Sequence, residues 1–547
     1  MACGRPLCSK WSGTFRLLFV APALQQPRFG LGPGGRVDVA HRMINRTPSN
    51  SRSDVVLDAA RAPLTGWVGV IAVMQAAVLL ATSGRYGYHR DELYFIVAGG
   101  HAAFGYPDQP PLVPLLGWAM NALAPGSLLV LRAPSALAAA VTTTLAALIA
   151  RELGGQAREQ VIAAACTAVS GFALAVAHLV STTTPDLLST TLLGWLAVRT
   201  TVRGSGPSLL AAGVVVGVGV EAKPQVGLVA AVMVATLIVV GPRAPLRSWW
   251  AAAGVIAAVV LAAPYVVWQQ QHGWPQLTVA RHIAGSQEGG RAGFFPFQLV
   301  MVSPFLVPVW IAGLLAPFRR AGWRQLRFVP ITYAVMAVLY FAGNGHAYYL
   351  ASLYPLLLGL GALPTAEWTL RARYRTPLLA IGIAISAAVS AVIALPLLSE
   401  RDLQGSIVIA LNSAQGDTVG WPRFVHTVST AWQQIPASER RHTAIFAGNY
   451  GEAGAIDLLG SALKLPPAYS GHNGFSEWRI PPVNDTRALL VGYSSPADAA
   501  PSFDQCRTLA VVNNGVGLNN QEQGLPVMLC RVTGPWATLW PRLIHYD

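Results

Sequence analysis

Apolar stretches recur along the chain at roughly 66–83, 128–150, 161–179, 186–202, 208–221, 225–240, 249–268, 297–316, 328–342, 348–363 and 377–396. A helix needs ~20 apolar residues to cross a bilayer, and although several of these stretches fall short, their number predicts a polytopic α-helical membrane protein with about 11–13 transmembrane helices. The first two stretches are separated by a polar loop over 84–127. Beyond residue 396 the pattern changes. Short apolar runs at Thr443–Ala447, Ala488–Gly492, Thr508–Val512 and Val527–Val532 alternate with Gly, Pro and Asn turns, and Phe424–Gln434 has helical spacing. Residues 397–547 are therefore expected to form a C-terminal α/β domain. The first 60 residues hold one apolar run, Phe15–Leu24, too short to span a bilayer, followed by Gly, Pro, Arg and Ser-rich sequence. They read as a disordered cytoplasmic N-terminal extension, with Met43 as an alternative start. Residues 61–396 are read as the membrane domain.

Composition agrees: 53% of residues are hydrophobic and 11% charged, which excludes an ordinary soluble enzyme. The net charge of +14 would raise nucleic-acid binding in a soluble chain. Its placement gives another answer. With the N-terminus cytoplasmic, the loops at 151–160, 203–207, 241–248, 317–327 and 364–376 hold a dozen arginines, whereas the opposite loops carry Arg85, Arg90, Lys223, Arg281 and Arg291. The positive-inside rule accounts for the basic balance, and no nucleic-acid partner is expected. An odd number of spans then places loop 84–127 and the C-terminal domain together on the extracytoplasmic side. The preference for Arg over Lys, with the abundance of Ala, Gly and Val, suggests a GC-rich bacterial genome and hence a bacterial plasma membrane. Cys506 and Cys530 both fall in the C-terminal domain, where an oxidising compartment permits a disulfide; two unpaired buried thiols are the alternative. Cys166, in mid-span, reads as a small core residue.

Ionisable groups at a membrane edge are costly unless they line a wet cavity, so they are functional candidates. Near the outer face these are Asp91, Glu92, Asp108, Arg132, His178, Asp186, Glu221, Lys223, Arg281, His282 and His346. Carboxylates and scattered cations at one interface suit a substrate with a phosphate and a reacting hydroxyl. A carboxylate takes the proton, and cations hold the anionic leaving group. No nucleotide-binding or metal-ligand spacing occurs, so no cofactor is expected and no divalent metal is indicated.

The residues that carry this chemistry also carry a resemblance. Asp91-Glu92 is followed by Leu-Tyr-Phe, and Gly105-Tyr106-Pro107-Asp108-Gln109-Pro110-Pro111-Leu112 looks like Gly-Tyr/Phe-x-Asp-His-Pro-Pro-Leu. Further on come Arg132-Ala-Pro-Ser, Thr184-Pro185-Asp186, Glu221-Ala-Lys223-Pro and Gly345-His346-Ala-Tyr348-Tyr349. Together these resemble the polyprenyl-phosphate-dependent glycosyltransferases of the GT-C superfamily, which includes protein O-mannosyltransferases and lipid A aminoarabinose transferases. Gln109 departs from the family's His, and His346 stands where many relatives have Lys. The segments Asn449–Gly454 and Ser470–Asn473 resemble the tail of a bacterial subgroup.

The resemblance implies a GT-C membrane domain and a lipid-linked sugar donor, attacked with inversion by an acceptor hydroxyl of a protein, lipid or polysaccharide. It implies Asp91 as general base with Glu92 beside it; Lys223, His346 and Arg132 as phosphate ligands; and Asp108, Asp186, Tyr88, Tyr348 and Tyr349 at the sugar or acceptor. Plainer readings stand beside these. Lys223 is equally placed to snorkel at a helix end, Arg132 and Asp186 to cap helices, and the tyrosines to form an interfacial belt. A lipid or glycan transporter, or a non-catalytic glycan-binding envelope protein, is the alternative function.

Overall fold

The structure is a computed structural model that describes residues 62–285 and 291–547; the extension expected over 1–60 lies outside the described residues. Each of the predicted apolar stretches is helical. Among the described residues four helices are long and apolar enough to cross a membrane: Leu128–Glu152, Trp249–Gln271, Ala347–Leu370 and Arg375–Ala394. Two bent pairs, Ala157–Ala168 with Gly171–Ala177 and Arg291–Val302 with Pro304–Arg319, turn by 58° and 80°. Shorter apolar helices such as Gly66–Thr82 and Gln225–Val240 complete the bundle. On Trp249–Gln271 the side chains of Val255, Ile256, Val259 and Val260 are each more than 60% exposed. Water would not tolerate so continuous an apolar surface, and lipid covers it at no cost.

Loop 84–127 is more ordered than its sequence suggested. It contains two helices, Arg90–Gly100 and Leu112–Leu123. A third, Pro275–Gly285, lies in the polar segment between later spans. All three are too short to register as spans.

The C-terminal part is a mixed five-stranded sheet: β1 (Thr443–Ala447), β2 (Ala468–Tyr469), β3 (Arg487–Val491), β4 (Phe503–Val511) and β5 (Pro526–Val532), in the order β2-β1-β3-β5-β4. The first three are parallel and the last two run antiparallel. Alternate residues of a strand face opposite sides. Ile445, Ala447, Leu489 and Val491 accordingly belong to one core, with Trp421, Phe424 and Val428 of the Trp421–Gln434 helix. Ala444, Phe446, Ala488 and Leu490 face the other way onto Trp536 and Trp540. A disulfide joins Cys506 of β4 to Cys530 of β5.

The first of those cores reaches across to the membrane part. Leu93, Tyr94, Phe95 and Ile96 of the Arg90–Gly100 helix are buried in it with Ala453, Ile456 and Phe475. The helix Tyr450–Leu459 lies directly on this loop helix, and glycine permits the approach. A Cβ at Gly454 would stand 3.0 Å from the Leu93 carbonyl carbon, and one at Gly451 2.8 Å from the Arg90 Cβ. Loop 84–127 and residues 397–547 are thus packed against each other.

The contact yields a test. Gly454→Val should destabilise the protein by ~1–3 kcal/mol, the usual penalty for overpacking, measured as a lowered thermal midpoint in detergent. Gly69→Ala, where an added Cβ meets nothing, should leave the midpoint unchanged or slightly raised.

Candidate functional site

The Arg90–Gly100 helix begins at His89, whose Nδ1 accepts the Asp91 backbone N–H at 3.2 Å. Glu92 closes the cap by accepting the His89 backbone N–H at 2.8 Å. The two acidic residues then diverge. Glu92 is 0% and Arg132 1% exposed. The Arg132 guanidinium donates to both Glu92 oxygens, at 2.9 and 2.7 Å, and to the carbonyls of Ser83 and Gly87 at 2.6 and 2.8 Å. The Val180 backbone N–H adds a fourth donor to the carboxylate at 2.9 Å. Burial would raise the Glu92 carboxyl, but the Arg132 charge and these hydrogen bonds hold it below the usual carboxylate range. The lone pairs of Glu92 are taken up within the fold, and the pair ties the loop helix to the bundle.

Asp91, one residue earlier, points to solvent and has a side chain 33% exposed. Its Oδ1 accepts the Tyr450 hydroxyl at 2.9 Å and lies 3.8 Å from Arg90 Nε. It opens onto a cavity of about 630 Å³. One wall holds Arg90, Asp91, His282, His346 and Tyr348; the C-terminal domain supplies Asn449, Tyr450, His472, Tyr493, His545 and Asp547. His346 stacks on Tyr348 with ring centroids 5.1 Å apart.

Lys223 sits behind that aromatic wall, its Nζ 5.7 Å from the Tyr348 ring centroid and 5.2 Å from that of Tyr349. It donates to Thr183 Oγ1 at 3.0 Å and lies 4.0 Å from Asp186 Oδ2. Asp186 is wholly buried and accepts from Ser352, Thr190 and Gln225 at 2.5, 3.2 and 3.2 Å. It stands as a counter-ion to Lys223, behind the cavity wall. Tyr349 packs against Tyr340. Tyr88 packs on the core that holds the loop helix, away from the cavity.

Asp108 also lies off the cavity. Its Oδ1 accepts the Tyr94 hydroxyl at 2.7 Å, and that hydroxyl accepts the Gly474 backbone N–H at 3.0 Å. The motif containing Asp108 therefore braces the loop helix against the C-terminal domain. Burial pushes the Asp108 carboxyl up to about 7, although the Tyr94 bond works the other way.

The structure brings together Asp91, His346 and Tyr348, with Lys223 behind them. It adds Tyr450, His472, Tyr493, His545 and Asp547. Only Tyr450 and His472 stood in segments that sequence had marked; the others carry no local pattern and reach the cavity through the sheet topology.

Comparison with known proteins supports this architecture. Residues 108–268 match the family model of the dolichyl-phosphate-mannose-protein mannosyltransferases. That is less than a third of the chain; it includes Asp186 and Lys223 and excludes Asp91. The structure is similar to that of ArnT from Cupriavidus metallidurans bound to undecaprenyl phosphate, with a TM-score of 0.57 and 14% identity, covering 86% of this chain and 99% of that one. The apo state of the same protein gives a TM-score of 0.56 at 14% identity, with the same coverage. No curated protein matches the chain by sequence. The fold is the GT-C fold of membrane glycosyltransferases.

Two outcomes follow. Removing one partner of a buried pair strands the other charge, so Arg132→Met should cost ~3–5 kcal/mol, read as a large drop in thermal midpoint in detergent. For Asp108 the folded carboxyl keeps its proton to about 7, whereas an unfolded one releases it near ~3.9. The unfolded chain binds fewer protons between those values, so stability falls as pH rises from about 4 to 7 and levels off above. Asp108→Asn should flatten that slope relative to the parent in melts across the range.

Proposed function

We propose that this GT-C membrane glycosyltransferase moves a sugar from a polyprenyl-phosphate donor to an extracytoplasmic acceptor hydroxyl, with inversion and with Asp91 as the general base. One observation carries the proposal. Asp91 is the acidic residue of the loop helix that faces a large polar cavity, while its neighbour Glu92 is sealed in an ion pair. A general base needs an accessible lone pair within reach of the hydroxyl it deprotonates. The Tyr450 hydroxyl donates to Asp91 Oδ1, Oδ2 lies 3.6 Å from His89 Nδ1 without a hydrogen bond to it, and the side chain is 33% exposed and lines the cavity.

The remaining roles follow from charge. A departing polyprenyl phosphate develops negative charge, which cations stabilise most where water is scarce. His346 lines the cavity, and Lys223 stands behind Tyr348 with one neutral hydrogen-bond partner and a counter-ion at 4.0 Å. A modest rotation of the long Lys223 side chain past Tyr348 supplies the phosphate ligand. Tyr348 and Tyr450 offer flat faces to a sugar ring. The acceptor enters the cavity from the side walled by the C-terminal domain, which faces His282, His346 and Tyr348 across it. ArnT binds undecaprenyl phosphate, and a lipid donor of that chemistry fits a cavity at the edge of the bundle.

Asp91→Asn should lower the rate of sugar transfer by ~10²–10⁴-fold, the usual contribution of a positioned base, with an unchanged thermal midpoint. Full activity in that variant would remove Asp91 from the mechanism. Lys223→Ala should weaken donor binding by roughly tenfold or more, the worth of a charge-assisted hydrogen bond, measured with a fluorescent polyprenyl phosphate. Unchanged donor affinity would remove the phosphate role.

A further inference from the structure

The wall of the cavity opposite Asp91 contains a cluster that sugar transfer by a carboxylate base does not use. His472, His545 and Asp547 present ring nitrogens and a carboxylate oxygen that all lie within 4.8 Å of one another. We propose that these three residues form a binding site for a zinc-class divalent ion, with an open coordination position toward the cavity.

The chain builds the cluster into its backbone. His472 and His545 face each other in a parallel β-bridge. The Asn473 N–H donates to the His545 carbonyl at 3.1 Å, and the His545 N–H donates to the Gly471 carbonyl at 3.0 Å. Asp547 is tied in by Asn473: its backbone N–H donates to Asn473 Oδ1 and its carbonyl accepts from Asn473 Nδ2, both at 3.2 Å. Two main-chain segments, 75 residues apart in sequence, are thereby locked with their ligand-bearing side chains adjacent. This explains why no ligand spacing is visible in the sequence.

The side chains are poised as ligands. His545 Nδ1 is 2.9 Å from the Leu543 carbonyl, the outer-shell bond that fixes a metal-binding tautomer and leaves Nε2 to coordinate. His472 is 4% exposed and its Nε2 is 2.5 Å from Asp547 Oδ1, so these two ligand atoms already face each other. The two imidazoles stack with centroids 4.4 Å apart, close for two cationic rings and natural for two neutral ones. Two neutral imidazoles and one carboxylate form a donor set suited to zinc, with three protein ligands and one place left for water or substrate. The ligand atoms need to move by about 1 Å to reach bonds of ~2.0–2.2 Å, and His545 and Asp547 are exposed and able to do so. The Tyr450 ring lies 4.8 Å from that of His472, and its hydroxyl donates to Asp91. An oxygen ligand bound at the open position would therefore share the cavity with Asp91.

The test uses the full-length protein in detergent, prepared without a histidine tag and stripped with chelator. Titration with Co²⁺, followed by its visible absorption, and elemental analysis after Zn²⁺ loading should give one ion per chain. His545→Ala with Asp547→Asn, both at exposed positions and the second keeping an oxygen for the buried His472 Nε2, should keep the thermal midpoint of the stripped parent. It should weaken binding by more than the ~10–100-fold typical of losing an outer-shell partner. Absence of stoichiometric binding in the parent, or equal binding in the double variant, would overturn the proposal. Neither result depends on glycosyl transfer being the activity.

Discussion

The arrangement of the cavity depends on the buried pair between Glu92 and Arg132. Arg132 belongs to a long membrane helix and Glu92 to a short helix in a polar loop, whose apolar residues pack on the bundle and the C-terminal domain but do not by themselves fix its rotation. The guanidinium also binds the carbonyls of Ser83 and Gly87, where the chain leaves the first span. One side chain thus fixes the loop's entry, the N-terminus of its helix and, through Glu92, the Val180 backbone. Such a pair adds little net stability, because desolvation cancels much of the attraction. Its contribution is position. It commits Glu92 inward, and the helical turn then directs Asp91 to the opposite, open side.

The C-terminal domain completes what the ion pair begins. It shares a hydrophobic core with the loop helix and approaches it through Gly451 and Gly454. It also contributes Tyr450 to Asp91 and the Gly474 N–H to the Tyr94–Asp108 bond. More than half of the cavity wall is its own. Residues 397–547 are therefore part of the site rather than an appendage, and acceptor choice is expected to lie in this region, since loops carried on a rigid scaffold are where recognition varies.

Sequence alone located the membrane helices well, because apolar length is a strong one-dimensional signal. It also found β1, β3 and β5, and the last four residues of β4, whose start at Phe503 carries no continuous apolar run. It missed the two-residue β2 and the short helices of loop 84–127, which bury one face in tertiary contacts and carry no span-length pattern. Asp91, His346 and Lys223 stand out in the sequence because ionisable groups are rare in this chain, and Tyr348 through its motif; the cavity brings Asp91, His346 and Tyr348 together. Glu92, Arg132, Asp108 and Asp186 stand out by the same rarity, and only the structure reveals their partners within the fold. The cluster of His472, His545 and Asp547 had no sequence signal, because strand pairing rather than spacing brings it together.

The central claim is that the cavity between Asp91 and the C-terminal domain receives the lipid-linked donor. The most direct measurement is a cryo-electron microscopy map of the protein in nanodiscs with a hydrolysis-resistant polyprenyl-phosphate sugar analogue. The account predicts phosphate density beside His346 and Lys223, with the sugar facing Asp91. Headgroup density elsewhere, with this cavity empty, would contradict it.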